Sequence, residues 1–373
     1  MLLWVPQLRD LMRHSSIDVF EWSRSDVLMP RLSNGTRWHH LASPRSALSF
    51  NGWDLAHAVV KADLLQPGSL ALPGLGFLLQ MHHLLDFSSP TNLRLKPNAA
   101  GNLADVTKSS SIGRLGQGFS LLFGHQQGLD FVGHLATDPT VRAHPLSRRG
   151  KVADFLFEDA AGDRTILESK ASVSLPDNIP SKVKGVLKEA VTKQVDPWVQ
   201  ALTPGVSKGY AVYSCLREVS ATTPSAIIFV DPPKQYDDHP IELPETWVKR
   251  QNYAGWLTAM GLGQSAEKLR NRVEGEPQIV TLITREIQDQ EYAFVTIGIL
   301  KYQDIVSIGI NVVALEAISS ALRGDEEALA KSRIEQGRAK ADIAEEPYSI
   351  FPDGTFLGMV DRKGPWYRRE FKL

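Results

Sequence analysis

Residues 148–174 read RRGKVADFLFEDAAGDRTILESKASVS. The β-branched and aromatic residues of KVADFLF and RTILESKAS favour strands, and EDAAGDR between them supplies turn residues, so the stretch predicts a β-hairpin. Side chains alternate along a strand, which sets Glu168 and Lys170 on one face with Ile166 and turns Ser169 to the other. With the turn centred on Ala161, residues whose numbers sum to 322 face each other, and Asp154 falls opposite Glu168. Two opposed carboxylates repel, by a few tenths up to about 1 kcal/mol where exposed, so a positive group is expected between them. A divalent cation is the simplest candidate, because hard oxygen ligands suit magnesium, and Lys170 beside it could orient the attacking water and stabilise developing phosphorane charge. A cross-strand salt-bridge cluster on a solvated face is the plainer alternative, worth little. Against it, Asp154 shares its face with Val152 and Leu156, and Glu168 shares its face with Ile166.

Outward from the hairpin, the order of elements between Ile112 and Pro233 is regular. GRLGQGFSLLFGHQQGL reads as a leading helix, SKVKGVLKEAVTKQVDPWV as a helix after the hairpin, and GYAVYSCL and SAIIFVDP as two later strands. On the second helix Val183, Leu187, Gln194 and Trp198 fall on one stripe, which makes Gln194 a polar residue on an apolar face.

Asp154, thirteen intervening residues, and then Glu168-Ser169-Lys170 on a hairpin, within this order, resembles the catalytic motif of the PD-(D/E)XK nuclease superfamily. The family core runs helix, three strands, helix, strand. The resemblance implies an α/β chain, α+β overall, with a central restriction-endonuclease-like mixed sheet flanked by helices and further α+β regions at both ends. It implies hydrolysis of DNA phosphodiester bonds with Mg2+, for which Mn2+ can substitute, leaving a 5′-phosphate and a 3′-hydroxyl. Asp154 and Glu168 would bind the metal with the backbone carbonyl of Ser169, Lys170 would position the water, and Gln194 would assist. Gln117 stands nearest to the position where many members carry a glutamate on the leading helix, and Ala153 stands where the motif has proline. Bacterial restriction or antiviral defence is the implied setting. A catalytically inactive subunit that binds nucleic acid or a protein partner is the alternative, and an enzyme acting on RNA or nucleotides is a third.

Composition bounds these readings. In 373 residues, 43% hydrophobic and 22% charged, the chain is an ordinary folded one and not a disordered tract or coiled coil. Its net charge of −1 gives no global attraction to nucleic acid, so a polyanion must be held by a local patch. Arg148, Arg149 and Lys151 lead into the first strand, and Lys182, Lys184, Lys188 and Lys193 lie on the second helix; Arg148, Arg149, Lys151 and Lys188 are the candidate phosphate contacts, although such charges usually form a solvated face. The lone cysteine, Cys215, excludes an internal disulfide and reads as core packing. MLLWVPQLRDLMRHSS has neither a sustained apolar segment nor a small-residue cleavage site, and nothing later reaches a membrane span, so a cytoplasmic protein with no membrane partner is expected.

Three consecutive regions are expected: 1–100, of no assigned role; 101–235, the nuclease-like core; and 236–373, an α+β region suited to recognition, homodimerisation or docking of a protein partner. WDLAHAVVKADLL and TWVKRQNYAGWLTAMGL read as helices, PQIVTLITREI and EYAFVTIGIL as strands, and the basic DRKGPWYRREFKL as a solvated terminus. His125, His134, His144 and Asp138 form a weak alternative metal set, GRLGQG is read as helix-start and packing glycines, and the pairs His39-His40 and His82-His83 have no partner nameable from sequence.

Overall fold

The computed structural model describes residues 12–29, 42–63, 77, 82–99, 101–103, 105–149, 151–173, 180–202, 205–231, 241–273, 276–300, 304–334, 346–361 and 363–373. Its elements in chain order begin with β1 (His14–Glu21), α1 (Arg24–Leu28), β2 (Ser43–Asn51), α2 (Gly52–Asp63), β3 (Leu85–Asp86), β4 (Arg94–Leu95), α3 (Asp105–Gln126), β5 (Leu129–His134), α4 (Pro139–Ala143) and α5 (Pro145–Arg149). Then come β6 (Phe155–Asp159), β7 (Arg164–Val173), α6 (Pro180–Ala190), a π-turn (Val191–Val195), α7 (Asp196–Ala201), β8 (Val206–Leu216) and β9 (Ala226–Val230). The remainder is α8 (Trp247–Ala259), α9 (Gly263–Asn271), β10 (Ile279–Ile287), β11 (Gln290–Leu300), β12 (Asp304–Asn311), α10 (Val312–Leu322), α11 (Glu326–Lys331), β13 (Tyr348–Ile350), β14 (Thr355–Asp361) and β15 (Tyr367–Lys372). The protein is thus a mixed α+β chain. Among the described residues no helix is long and apolar enough to cross a membrane.

The chain divides into two compact units, one of residues 14–50 and 80–243, the other of 1–13, 51–79 and 244–373. Each is discontinuous, where the sequence suggested three consecutive regions. The reason for the first is strand pairing: β1, from the amino-terminal hundred residues, pairs in parallel with β9, so early chain completes the sheet that carries the hairpin.

That sheet has the order β2-β1-β9-β8-β7-β6-β5. β5, β6 and β7 form an antiparallel meander, β8 then pairs in parallel with β7, and β9 returns antiparallel to β8. A parallel neighbour needs a crossover, which the segment α6, π-turn and α7 supplies. Helices cover both faces. On one, α3 approaches β7 so closely that a Cβ on Gly116 would lie 2.3 Å from that of Ala171. On the other, the π-turn and α7 press Val195 and Val199 onto Gly209, where a Cβ would meet them at 2.4 and 2.8 Å. The core between is mostly apolar, with Phe155, Ile166, Leu167, Val212, Cys215 and Ile228 all excluded from solvent. Cys215 is a buried free thiol, as read.

The expected helices and strands of this unit are present, with three differences. The leading helix starts earlier, at Asp105, so the glycines of GRLGQG lie within it rather than at its start; Gly116 packs against Ala171, while a Cβ on Gly113 would meet nothing. It ends where Gly128 takes a φ of +80°, and LDFVGH then forms β5, a strand outside the expected elements. The second helix widens into a π-turn at Val191–Val195 before continuing.

The other unit is built on an antiparallel sheet of order β13-β14-β12-β11-β10-β15. WDLAHAVVKADLL and TWVKRQNYAGWLTAMGL supply α2 and α8, and the two expected strands are β10 and β11. DRKGPWYRREFKL is not a solvated tail: its β15 pairs with β10 and buries Phe371. Its core holds a satisfied polar knot, in which the Asp353 carboxylate pairs with Lys61 and accepts from Asn252 Nδ2 at 2.6 Å and Thr355 Oγ1 at 2.7 Å. These bonds and the lysine charge hold Asp353 below the usual carboxylate range despite its burial.

Candidate functional site

The hairpin turn is set by Asp159, whose Oδ1 accepts from Ala161 N at 2.8 Å and Asp163 N at 2.9 Å, and by Gly162 at a φ of +91°. The strands then pair Phe155 with Leu167, Leu156 with Ile166, Phe157 with Thr165 and Glu158 with Arg164, each pair summing to 322 as the turn chemistry required. One step further along the same line stand Asp154 and Glu168. Main-chain bonds lace them together: Asp154 N donates to Glu168 Oε2 at 3.0 Å, and Ser169 N donates to Asp154 Oδ2 at 2.9 Å.

Lys170 lies on the Glu168 face and its Nζ forms a close ion pair with Glu168 Oε1. Ser169 points the other way, where its hydroxyl accepts from Ser120 Oγ on α3 at 2.9 Å. The alternation expected from strand geometry is therefore present. Glu168 is wholly buried, Asp154 is half-buried and the Lys170 side chain is 27% exposed, so the group opens to solvent on the lysine side.

Burial disfavours both ionised carboxylates. Glu168 is pushed up to about 7, first by desolvation and then by the Asp154 charge, against the pull of Lys170 and the Asp154 N–H. Asp154 is also raised, by burial, against the Ser169 N–H and Lys170. One lysine does not offset a buried and a half-buried carboxylate, and a further cation would.

The donor chemistry fits a hard divalent ion: two carboxylates are tied together by main-chain bonds, and the backbone carbonyl of Ser169, next in the chain after Glu168, is the further oxygen that the resemblance implies. Among the described residues no group of three or more His, Cys, Asp or Glu side chains gathers, so a magnesium-type ion would hold several waters, as it usually does.

Gln194 sits in the π-turn, buried, and does not touch either carboxylate. Its Nε2 donates to Val152 O at a long 3.5 Å, while Trp198 Nε1 donates to Lys151 O at 3.1 Å, so the two clamp the chain just before Asp154. Gln194 Oε1 has no partner among the described residues. Gln117 is three residues before Ser120 on α3, the helix that covers the Ser169 face, and it makes no hydrogen bond to either carboxylate among the described residues. Lys151 is exposed and 3.7 Å from Glu189, and Lys188 is exposed. Arg148 and Arg149 belong to α5, their side chains lying outside the described residues. Lys184 departs from the solvated-face reading: it is buried, and its Nζ has no partner among the described residues.

The alternative metal set is dispersed. Asp138 caps α4, His125 Nδ1 meets Leu129 O at 2.7 Å, His134 packs on Phe155 and His144 lies beside Trp198. His39-His40 lies outside the described residues, and His82 and His83 meet edge to face. Two residues on the lysine face escaped the sequence reading, Ser172 and Tyr213, whose hydroxyls are bonded to each other. Strand parity could have found Ser172, two positions past Lys170, but Tyr213 required knowing which strand lies beside β7.

Comparison with protein-family models, with curated proteins and with solved structures finds no match.

Proposed function

We propose that the β6–β7 hairpin is the active site of a metal-dependent nuclease with a restriction-endonuclease-like core, acting on DNA. The observation that carries this reading is the laced pair of half-buried Asp154 and buried Glu168, both with raised proton affinities and flanked on the open side by Lys170. Strained electrostatics of this kind concentrate at functional sites, because folding alone gains nothing from them. With the short α4 and α5 set between β5 and β6, and α7 continuing from α6 through the π-turn, the order α3, β5, β6, β7, α6, β8 also parallels the family's helix, three strands, helix, strand.

Asp154, Glu168 and the Ser169 carbonyl would hold Mg2+ or Mn2+, which when bound supplies Lewis-acid charge at the phosphoryl group and lowers the proton affinity of its water. Main-chain bonds fix Asp154 and Glu168 in place, so no reorganisation is needed at the moment of reaction. Lys170 Nζ, held beside Glu168 on the open side, would orient the attacking water and stabilise charge on the phosphorane oxygens. Water adds to phosphorus, the 3′-oxygen leaves with a proton, and the products are a 5′-phosphate and a 3′-hydroxyl. Gln194 and Trp198 act behind this, holding residues 151–152 so that Asp154 meets Glu168.

A non-catalytic subunit that binds nucleic acid or a protein is favoured by one observation, the neutral Gln117 on the far face of β7. The two readings separate on incubating supercoiled, linear and single-stranded DNA, and RNA, with Mg2+, Mn2+ or EDTA. Metal-dependent cutting of DNA with 5′-phosphate ends supports the nuclease. Cutting of RNA alone would reassign the substrate, and binding without cutting in either metal would favour the subunit.

A further inference from the structure

Resting on the nuclease reading, we infer that Ser172 is a substrate-binding residue that holds a backbone phosphate beside the scissile one, and that Tyr213 positions it. Glu168, Lys170 and Ser172 are alternate residues of β7 and so project from one face. At about 3.3 Å per residue, Ser172 lies about 7 Å beyond Lys170, close to the separation of successive phosphates along one nucleic-acid strand. Tyr213 stands directly beside Lys170 in the parallel register of β7 and β8, on the same face. Its ring is 6% exposed and its hydroxyl is bonded to that of Ser172, which is half-buried.

The chemistry follows from counting protons. Each hydroxyl carries one donor hydrogen and two acceptor lone pairs. The bond between the two hydroxyls uses one of their two hydrogens and either can donate it; where the tyrosine donates, the serine hydrogen is left for a further acceptor. A phosphate oxygen, which only accepts, is the matching ligand, and hydroxyl contacts of this kind position a nucleic-acid backbone without reading its sequence.

The test is steady-state cleavage of a short DNA duplex in Mg2+ by the full chain and its Ser172→Ala, Ser172→Thr and Tyr213→Phe variants, with melting temperatures measured alongside. Loss of a hydrogen bond to a charged group should raise KM about tenfold in Ser172→Ala and Tyr213→Phe, with a smaller effect on kcat. Ser172→Thr should restore KM, and the salt dependence of KM should keep its slope, because no cation is lost. KM within about twofold of wild type in both variants, or a loss confined to kcat, overturns the inference, whatever the melting temperature. Wild type that cuts while these variants match it leaves the nuclease reading standing and removes only this one. Wild type that cuts no DNA removes both.

Discussion

The Glu168 carboxyl keeps its proton to about 7, against 4.5 for an ordinary glutamate, because it is buried beside Asp154. Between those values the unfolded chain has released a proton that the folded one retains, so metal-free stability from this group is fully present below the unfolded value and is lost as pH rises through about 7. A cation needs the ionised form, so Mg2+ affinity is expected to rise with pH over the same window, with proton release visible by calorimetry in two buffers of different ionisation heat. Glu168→Gln removes the buried charge: at pH 8 and without metal its melting temperature is expected about 2–4 °C above wild type, while Mg2+ no longer stabilises it. A lower melting temperature would mean that the carboxylate is structural. Lys184 gives a second residue-scale test. Its buried Nζ lacks a partner among the described residues, so Lys184→Met should raise stability to urea by about 1 kcal/mol; a loss instead would reveal a bond the lysine makes.

At the scale of elements, the site depends on how closely α3 and the π-turn grip the sheet. Gly116→Ala would drive a methyl to within 2.3 Å of the Ala171 side chain, and a packed helix–sheet contact that must open is expected to cost about 1–3 kcal/mol in denaturant unfolding. An unaltered midpoint would show that α3 is not held against β7. The hairpin was legible because turn chemistry is local: Asp159 and Gly162 fix where the chain reverses, and register then follows by arithmetic to Asp154 and Glu168. β5 was not legible, since LDFVGH is short and abuts a helix that ends only at a positive-φ glycine. The joining of β1 to β9 was hidden for a different reason, being a parallel pairing across most of the unit, which no sequence period records. β15 was misread because its charges, natural on an edge strand, look like a solvated tail.

At the scale of the molecule, the unit of residues 14–50 and 80–243 contains all the chemistry assigned here, and a net charge of −1 leaves DNA attraction to local groups. Affinity for DNA should therefore fall with salt along a shallow slope, reflecting few phosphate contacts, which fluorescence anisotropy at several salt concentrations would check. The measurement that bears most directly on the central claim is the rate of nicking of supercoiled DNA in Mg2+ by wild type beside Asp154→Ala and Lys170→Ala. The expected result is nicking by wild type, stopped by EDTA and reduced at least about 100-fold in each variant, since each removes a group acting at the reacting phosphate. Equal nicking by all three proteins, or none by wild type in either Mg2+ or Mn2+, would contradict it and leave Asp154, Glu168 and Lys170 as structure.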